Sequence, residues 1–600
     1  MLVFATAFYI RKSRLHILAL RTLLRYNGLT ARLCFIPSRS ATTRCSGRKE
    51  LMGQSGTAPY TSQRPHLRYL ATSLLAICAL ILSSGVSANS TPSWQHAARH
   101  GGTIMATWGA SLSTVDPAYV YSYVDWPQSH AIFSGLLGVD KSFTLTPDLA
   151  AALPTVSKDG LIYTFHLRHG LVFSNGDPIT AQDFIFSWER ELAPKTAAPV
   201  SYLWFALAGQ ADFTAGKAKH ISGLAAPDPS TLTISLNEPY PGFLNVLSIP
   251  AAYVLDPAVI HQFHAENKDF GVHAVGAGPF MLQDWAPGQK MDLVRNPKYW
   301  NPSLPEADAV HIDLGVSPDV ALLRIEKGQS DLMGDSIPAA QFASVITDPK
   351  FSPLVQHRTD IGVYMIAMNV KVKPFDNLKV RQAVAYAINK GHAIRFINGR
   401  GAPATGIIPP TMPGFNGGIP EQYPYNPAKA KQLLAEAGFP NGFNTTMGVP
   451  DSVFEQRMAE AAISDLAQIG VKIAYKKVIT EGSAVATLPM QAYHWLMDYP
   501  DPADFIDGFT SCSSAVNGGS NVGYYCNKTL DDLANKARGM AVGPARVAAY
   551  NAIDKLYIDD AASVPVFNDV FYEIHSARLQ NFSISISWYP FDLSTTWPAS

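Results

Sequence analysis

The chain has 600 residues, of which 47% are apolar and 16% are charged, so it is long enough for several packed domains and too apolar to be mainly disordered. Its 47 basic and 47 acidic residues balance, but twelve of the bases and one of the acids lie in residues 1–88, which leaves eleven more acids than bases in the other 512 residues. Because a phosphate-binding surface needs clustered cations, this acidic body argues against a nucleic-acid partner.

The first element in chain order has the pattern of a secretory signal peptide. Thirteen mostly apolar residues, 70–82, follow two arginines and precede the small residues 86–88. The segment is shorter than the ~20 residues of a membrane-spanning helix. We therefore predict export to the periplasm, with cleavage near Ala88.

Two features of this N-terminal region have alternative interpretations. Residues 1–51 are rich in arginine and poor in acids, as organelle transit peptides are, but a translation start at Met52 would leave an ordinary signal peptide. Cys78 is a candidate for a lipid anchor, yet Ile77 precedes it where lipoprotein signals usually have a small residue. No lipid anchor is expected.

Alternating helix and strand signals predict an α/β fold for the rest of the chain. Predicted strands cover residues 102–108, 161–168 and 471–475. Predicted helices start at Thr180, which precedes Asp183 by three residues, at Asn426-Pro427, which Gly438 follows, and at Ser452, which forms a capping box with Glu455.

No complete catalytic motif occurs in the sequence, which has no nucleophile elbow, H-E-x-x-H, P-loop or G-x-G-x-x-G. His261 and His264 have the spacing to face one ion, but a third ligand is missing and Asp256-Pro257 indicates an ordinary helix start. We therefore predict neither an enzyme nor a bound metal or cofactor.

Aromatic residues surround several acids in the segment 495–502, and a second aromatic cluster covers 119–126. Core packing accounts for most aromatic residues, but the first segment also has carboxylates between prolines. We interpret it as a stiff loop that holds a charge in a dry aromatic recess, which suits a cationic ligand group.

Cys512 and Cys526 are the two cysteines that remain after the leader. An even pair in an exported protein indicates a disulfide, and closing a loop of this length stabilises by about 3 kcal/mol in the chain-entropy model. No C-x-x-C motif or nearby histidine cluster favours a metal site.

Four sequence blocks occur in a recognisable order. They are YTFHLRHG through FSNGDPITAQDF to WER within 163–190, GAGPF with RNP and YW within 276–300, FDN with VRQA, AIN and PP within 375–410, and W-x-x-DY at 495–499. Together they resemble family 5 of the extracellular solute-binding proteins, the periplasmic oligopeptide- and dipeptide-binding proteins of ABC importers. The resemblance covers roughly residues 100–600.

The resemblance implies a periplasmic-binding-protein type II-like fold, with two lobes joined by a hinge and an inserted third domain. The N-terminal extension and signal peptide would occupy residues 1–88. Lobe I would comprise 89–133, 240–335 and 569–600, the inserted domain 134–239, and lobe II 336–568. The ligand would lie between the lobes, which close by a hinge motion.

In this family the peptide backbone is held as an added strand and its α-ammonium pairs with an acid. Position in the W-x-x-DY block makes Asp498 that acid, although an aspartate there could instead cap the following turn, as Asp501 is expected to do. The resemblance also places Trp495, Tyr499, Tyr121 and Tyr202 at the ligand. Oligopeptide binders have an arginine shortly before the tryptophan, where this chain reads QAYH, so the partner of the ligand carboxylate is unassigned.

The resemblance therefore implies a monomeric periplasmic receptor that delivers short peptides to an inner-membrane permease powered by an ATPase, without chemistry on the ligand. Within the same fold, alternative ligands are a nickel complex, haem or a murein peptide. Alternatives from other classes are a periplasmic chaperone and a secreted hydrolase.

Overall fold

The structure is a computed structural model that describes residues 100–599 apart from 111, 123, 267, 413–417, 452, 479–484, 486 and 585–591. The predicted leader, with Cys78 and the cleavage near Ala88, lies outside the described residues, as does Ser452 of the predicted capping box. No helix among the described residues is both long and apolar enough to cross a membrane.

Single strands and short runs of strands are separated by helices along the described chain. The strands are β1 Thr103–Trp108, β2 Leu137–Val139, β3 Leu145–Pro147, β4 Thr155–Val156, β5 Ile162–His166, β6 Leu224–Asp228, β7 Thr231–Ser235, β8 Phe280–Ala286, β9 Lys290–Arg295, β10 Ala309–Leu314, β11 Leu332–Met333, β12 Val355–Thr359, β13 Gly362–Met368, β14 Gly401–Pro403, β15 Asn444–Pro450, β16 Lys472–Val478, β17 Met490–Leu496, β18 Ser563–Ile574, β19 Leu579–Gln580 and β20 Trp597–Pro598. The helices are α1 Trp126–Ile132, α2 Ala181–Leu192, α3 Gln210–Thr214, α4 Phe243–Val246, α5 Pro257–Ala265, α6 Pro318–Glu326, α7 Phe342–Thr347, α8 Leu378–Ala387, α9 Lys390–Phe396, α10 Pro427–Glu436, α11 Val453–Ala467, α12 Pro502–Thr510, α13 Lys528–Arg538 and α14 Pro544–Asp559.

Three larger sheets organise these elements. The first has the order β11-β1-β10-β9-β8 and is mixed, because β1 is parallel to β10 and β11 while β9 is antiparallel to its neighbours. The second has the order β12-β18-β13-β17-β15-β16, with β14 also paired to β18. The third, β4-β5-β7-β6, is antiparallel. Mixed sheets with helices between their strands confirm the predicted α/β class.

Two of the predicted helices have the end-capping contacts expected from the sequence. At α2, the Asp183 carboxylate accepts the Thr180 amide at 2.7 Å in a capping box, and Phe184 and Trp188 are fully buried. At α10, the Asn426 side chain accepts the Lys429 amide. Gly438 follows with a φ of 91°, a conformation that glycine adopts without strain.

Two details of the predicted elements were wrong. The aromatic segments 119–126 and 495–502 are not wholly loops, since Trp126 begins α1, and Trp495 and Leu496 end β17, where Leu496 pairs with Gly362. The predicted apolar face around β16 is only partly buried, since Val471 is buried and Ile473 is half-buried but Tyr475 is exposed on this edge strand, which pairs only with β15. The domain boundaries stay predictions; the one between residues 568 and 569 falls within β18.

Cys512 and Cys526 are joined in the structure by a disulfide whose Cα atoms are 4.6 Å apart, and the bridge closes the loop between α12 and α13. We expect the double substitution Cys512→Ser/Cys526→Ser to lower the free energy of unfolding by about 3 kcal/mol, because the unfolded chain regains the entropy of the open loop. Guanidinium unfolding measures the difference, and reduced wild type serves as the control. Equal stability of the oxidised wild type and the double variant would contradict this expectation.

Candidate functional site

The candidate site is centred on Asp498, which lies between the end of β17 and the start of α12. β17 is hydrogen-bonded to β13, and this pairing places the end of β17 in the interior. The Met497 amide extends the pairing by donating to the Ile361 carbonyl at 3.0 Å. Asp498 is 4% exposed. A carboxylate this buried requires polar partners.

Two tyrosines from distant parts of the chain supply such partners. The Tyr121 hydroxyl donates to Asp498 Oδ1 at 3.0 Å, and the Tyr202 hydroxyl donates to Asp498 Oδ2. Tyr121 lies between β1 and α1, and Tyr202 lies in the 3-10 helix Ser201–Trp204. Tyr121 is 42% and Tyr202 49% exposed, so their outer surfaces face solvent while their hydroxyls reach the acid.

Asp504, which the sequence analysis missed, fixes the positions of Trp495 and Asp498 through hydrogen bonds. Its Oδ2 accepts the Trp495 indole Nε1 at 3.1 Å and the Asp498 amide at 3.1 Å. Asp504 is buried in the first turn of α12. One carboxylate oxygen therefore fixes both the indole and the backbone of the central acid.

A regular spacing of acids could have identified Asp504 in the sequence. Aspartates recur at every third residue, at 498, 501, 504 and 507. Asp501 caps α12 by accepting the Ala503 amide at 2.9 Å and forms two 2.8 Å bonds with Arg546. Asp507 pairs with Arg538 at 2.9 Å. The two arginines therefore neutralise Asp501 and Asp507, whereas among the described residues no basic side chain bonds Asp504.

Burial makes both acids of the site weaker acids than they are in water. It raises the pKa of Asp498 to about 6, although hydrogen bonds from Tyr202 and Tyr121 lower it. Burial, and then the charge of Asp498, raise the pKa of Asp504 well above its usual value. Asp498 is consequently the member of the pair that is charged at neutral pH.

The remaining predicted residues divide between the site and the core. Trp495 packs edge-on against Phe509, with ring centroids 5.5 Å apart, and reaches the site through Asp504. Tyr499 is buried, and its side chain interacts with Tyr240. The helix cap predicted as the alternative role of Asp498 is supplied by Asp501.

A cavity of about 750 Å³ is lined in part by residues 500–502. Tyr240, Tyr550 and Arg546 line it, whereas Asp498, Tyr121 and Tyr202 do not. His261, one of the two histidines weighed as metal ligands, contacts Phe186 edge-on at 5.4 Å. Across the described ranges no three His, Cys, Asp or Glu side chains are grouped so that they could hold a metal ion.

Residues 144–517 match the family model of bacterial extracellular solute-binding proteins, family 5 Middle. The glutathione-binding protein GsiB of Escherichia coli O1:K1 is 27% identical over 487 residues, which cover 79% of this chain and 91% of the relative.

Solved structures of peptide-binding proteins have the same fold. DppA of Helicobacter pylori in complex with the peptide STSA superposes with a TM-score of 0.71 at 24% identity. The match covers 84% of this chain and 99% of the DppA chain. The clavulanic acid biosynthesis oligopeptide binding protein 2 gives a TM-score of 0.77 at 22% identity and covers 84% and 96%. These matches confirm the predicted type II-like fold.

Proposed function

Since the chain belongs to the bacterial extracellular solute-binding proteins of family 5, whose members are binding proteins rather than enzymes, we propose that it captures short peptides in the periplasm and delivers them to the permease of an ABC importer. In this proposal it acts as a monomer, exported by its N-terminal leader, and binds the ligand without changing it.

The buried Asp498 carboxylate, with the partly exposed Tyr121 and Tyr202 around it, carries this proposal. A buried acid in an aromatic setting favours one cationic group, and the α-ammonium of a peptide supplies it. That ammonium would lie against the rings of Tyr121, Tyr202 and Trp495. Asp504 would orient the acid. The names of the relatives agree with this ligand class, because one binds glutathione and another was solved with a four-residue peptide.

The edge of β17 next to Asp498 supports binding of the peptide backbone. β13 pairs with β17 along its whole length, from Met368↔Met490 to Gly362↔Leu496, whereas β15 pairs only with Met490 and Gln491. Within the described residues no strand lies beside 492–496 on that second side. An extended peptide added there would be held by main-chain hydrogen bonds that are common to all peptides, which explains broad specificity.

Native mass spectrometry of protein purified from the periplasm tests the ligand class. Captured peptides should appear as a series of adducts with different masses, which collapses to the apoprotein mass after mild denaturation and refolding. One adduct of defined mass, as a nickel complex or haem would give, would contradict the proposal.

The pKa of Asp498 predicts how peptide affinity depends on pH. Burial raises this pKa to about 6, and the ligand ammonium binds the ionised form. We therefore expect full affinity near pH 7 and a fall of about tenfold per pH unit below pH 6, with a second decline above about pH 8 as the peptide amine loses its proton. Calorimetric titration with trialanine at pH 4.5 to 9 measures the profile.

The acid limb of this profile should vanish in Asp498→Asn, whose amide does not titrate. A wild-type affinity that stays constant from pH 7 to pH 4.5 would show that no carboxylate of this kind binds the ligand.

A further inference from the structure

The cavity of about 750 Å³ that residues 500–502 help to line plays no part in the proposed function. Its other walls come from segments that are distant in sequence, within 142–163, 239–245 and 539–550, and Asp498 does not line it. Pockets that bind small molecules have volumes of ~300–1,000 Å³. The cavity is therefore large enough to hold a ligand of its own.

The cavity has a buried aromatic floor and an apolar opening. Tyr163, Tyr240 and Tyr550 line it and are buried, whereas Val156 and Val542 line it and are 47% and 69% exposed. The lining thus runs from buried rings to exposed side chains, which gives the cavity a closed inner end and an access from solvent. Apolar side chains at an opening favour a ligand that covers them, since this removes apolar surface from water.

The walls offer few hydrogen-bond donors to a ligand. Four prolines line the cavity, at positions 239, 241, 500 and 502. Proline has no backbone N–H group to donate. Two polar side chains of the lining are engaged with the walls themselves, since the Tyr163 hydroxyl donates to the Tyr240 carbonyl at 3.4 Å and the Asn245 Nδ2 donates to the Pro500 carbonyl at 3.2 Å. The inner part of the cavity therefore suits an apolar body.

The charged residues of the lining leave one cation available at the surface. Arg546 and Asp501 neutralise each other through two 2.8 Å bonds. Lys158 and Asp159 also line the cavity and are exposed, and Asp159 accepts the Leu161 amide of its own turn at 3.2 Å. Within the described part of the chain no acid forms an ion pair with Lys158. Its ammonium is therefore the charge that a ligand can meet.

We propose that this cavity binds an anionic amphiphile, a molecule with an aliphatic body and one carboxylate. The aliphatic body packs against the buried tyrosines and the prolines, and the carboxylate stays at the surface beside the Lys158 ammonium. A cationic head group would be repelled there. The inference does not depend on the proposed function, because Asp498, Tyr121 and Tyr202 do not line the cavity.

Calorimetric titration of the whole protein with decanoate tests the site, and decylammonium is the ligand of opposite charge. Wild type should bind one decanoate per chain and prefer it to decylammonium. Lys158→Glu should reduce this preference about fivefold or more, because the charge reversal weakens the binding of one ligand and strengthens that of the other. Val547→Trp should weaken decanoate binding about tenfold or more, because Val547 lines the cavity and the larger side chain fills part of it.

Leu556→Trp is the matched control, because Leu556 lies on the same helix, α14, is 44% exposed and does not line the cavity. This variant should bind decanoate like wild type. Saturating trialanine should not displace decanoate, since the peptide site is elsewhere. Absence of decanoate binding, its displacement by trialanine, or unchanged binding by both Lys158→Glu and Val547→Trp would overturn the inference. Failure of trialanine to bind would overturn the proposed function alone.

Discussion

Asp498→Ala should weaken the binding of a short peptide by about 10² to 10³. The substitution leaves the ligand ammonium in a buried site without its counter-charge, which costs ~3–5 kcal/mol. The variant should still fold, because the Asp498 carboxylate is hydrogen-bonded through two tyrosine hydroxyls whose residues are 42% and 49% exposed, so both can turn to water once the acid is gone.

Acetylation of the peptide amine separates loss of this interaction from general damage to the site. In wild type, N-acetyl-trialanine should bind as poorly as trialanine binds to Asp498→Ala, whereas the variant should not distinguish the two peptides. Tyr499→Phe is a suitable control, since Tyr499 faces the core, and it should bind trialanine like wild type. Unchanged affinity of Asp498→Ala in calorimetry would show that the ammonium binds elsewhere.

The largest effect on stability is expected from Arg546→Met. Arg546 and Asp501 are both buried and joined by two 2.8 Å bonds. Removing the guanidinium leaves the Asp501 carboxylate in the interior without a positive partner. We expect the free energy of unfolding to fall by about 3–5 kcal/mol.

Urea unfolding at pH 7 measures this loss, and two further variants define its origin. Asp501→Asn combined with Arg546→Met should recover part of the stability, because the uncompensated charge is gone. Lys528→Met breaks an exposed ion pair with Asp532 and should change stability by less than about 1 kcal/mol. Similar losses for Arg546→Met and Lys528→Met would contradict a special role for the buried pair.

Sequence reasoning succeeded where the determining interactions are local. Thr180 with Asp183, and Asn426-Pro427 with Gly438, define helix ends through contacts within a few residues, so their spacing identified α2 and α10. The position of Asp498 came from the resemblance of its W-x-x-DY block. The same resemblance put Tyr121 and Tyr202 at the ligand, whereas the direct hydrogen bonds of their hydroxyls to Asp498 required the structure.

The rest of the site depends on contacts that no local pattern encodes. Tyr121 is 377 residues from Asp498, and Arg546 is 45 residues from Asp501. Asp504 becomes a neighbour of Asp498 only because α12 starts at Pro502, shortly after Asp498, and its first turn brings the Asp504 carboxylate back to the Asp498 amide. Tyr499, which the resemblance places at the ligand, is buried and reaches Tyr240, and side-chain alternation could not show this because it ends with β17 and does not fix the direction of the residues that follow.

The bond from the Trp495 indole to Asp504 has a practical consequence for experiments. Because the same carboxylate oxygen holds the Asp498 amide, an arriving cation changes the electric field at a fluorophore that is already part of the protein. The fluorescence emission of Trp495 should therefore shift during a titration with peptide, without any attached dye. Trp495→Phe should abolish that shift, while the other tryptophans continue to emit.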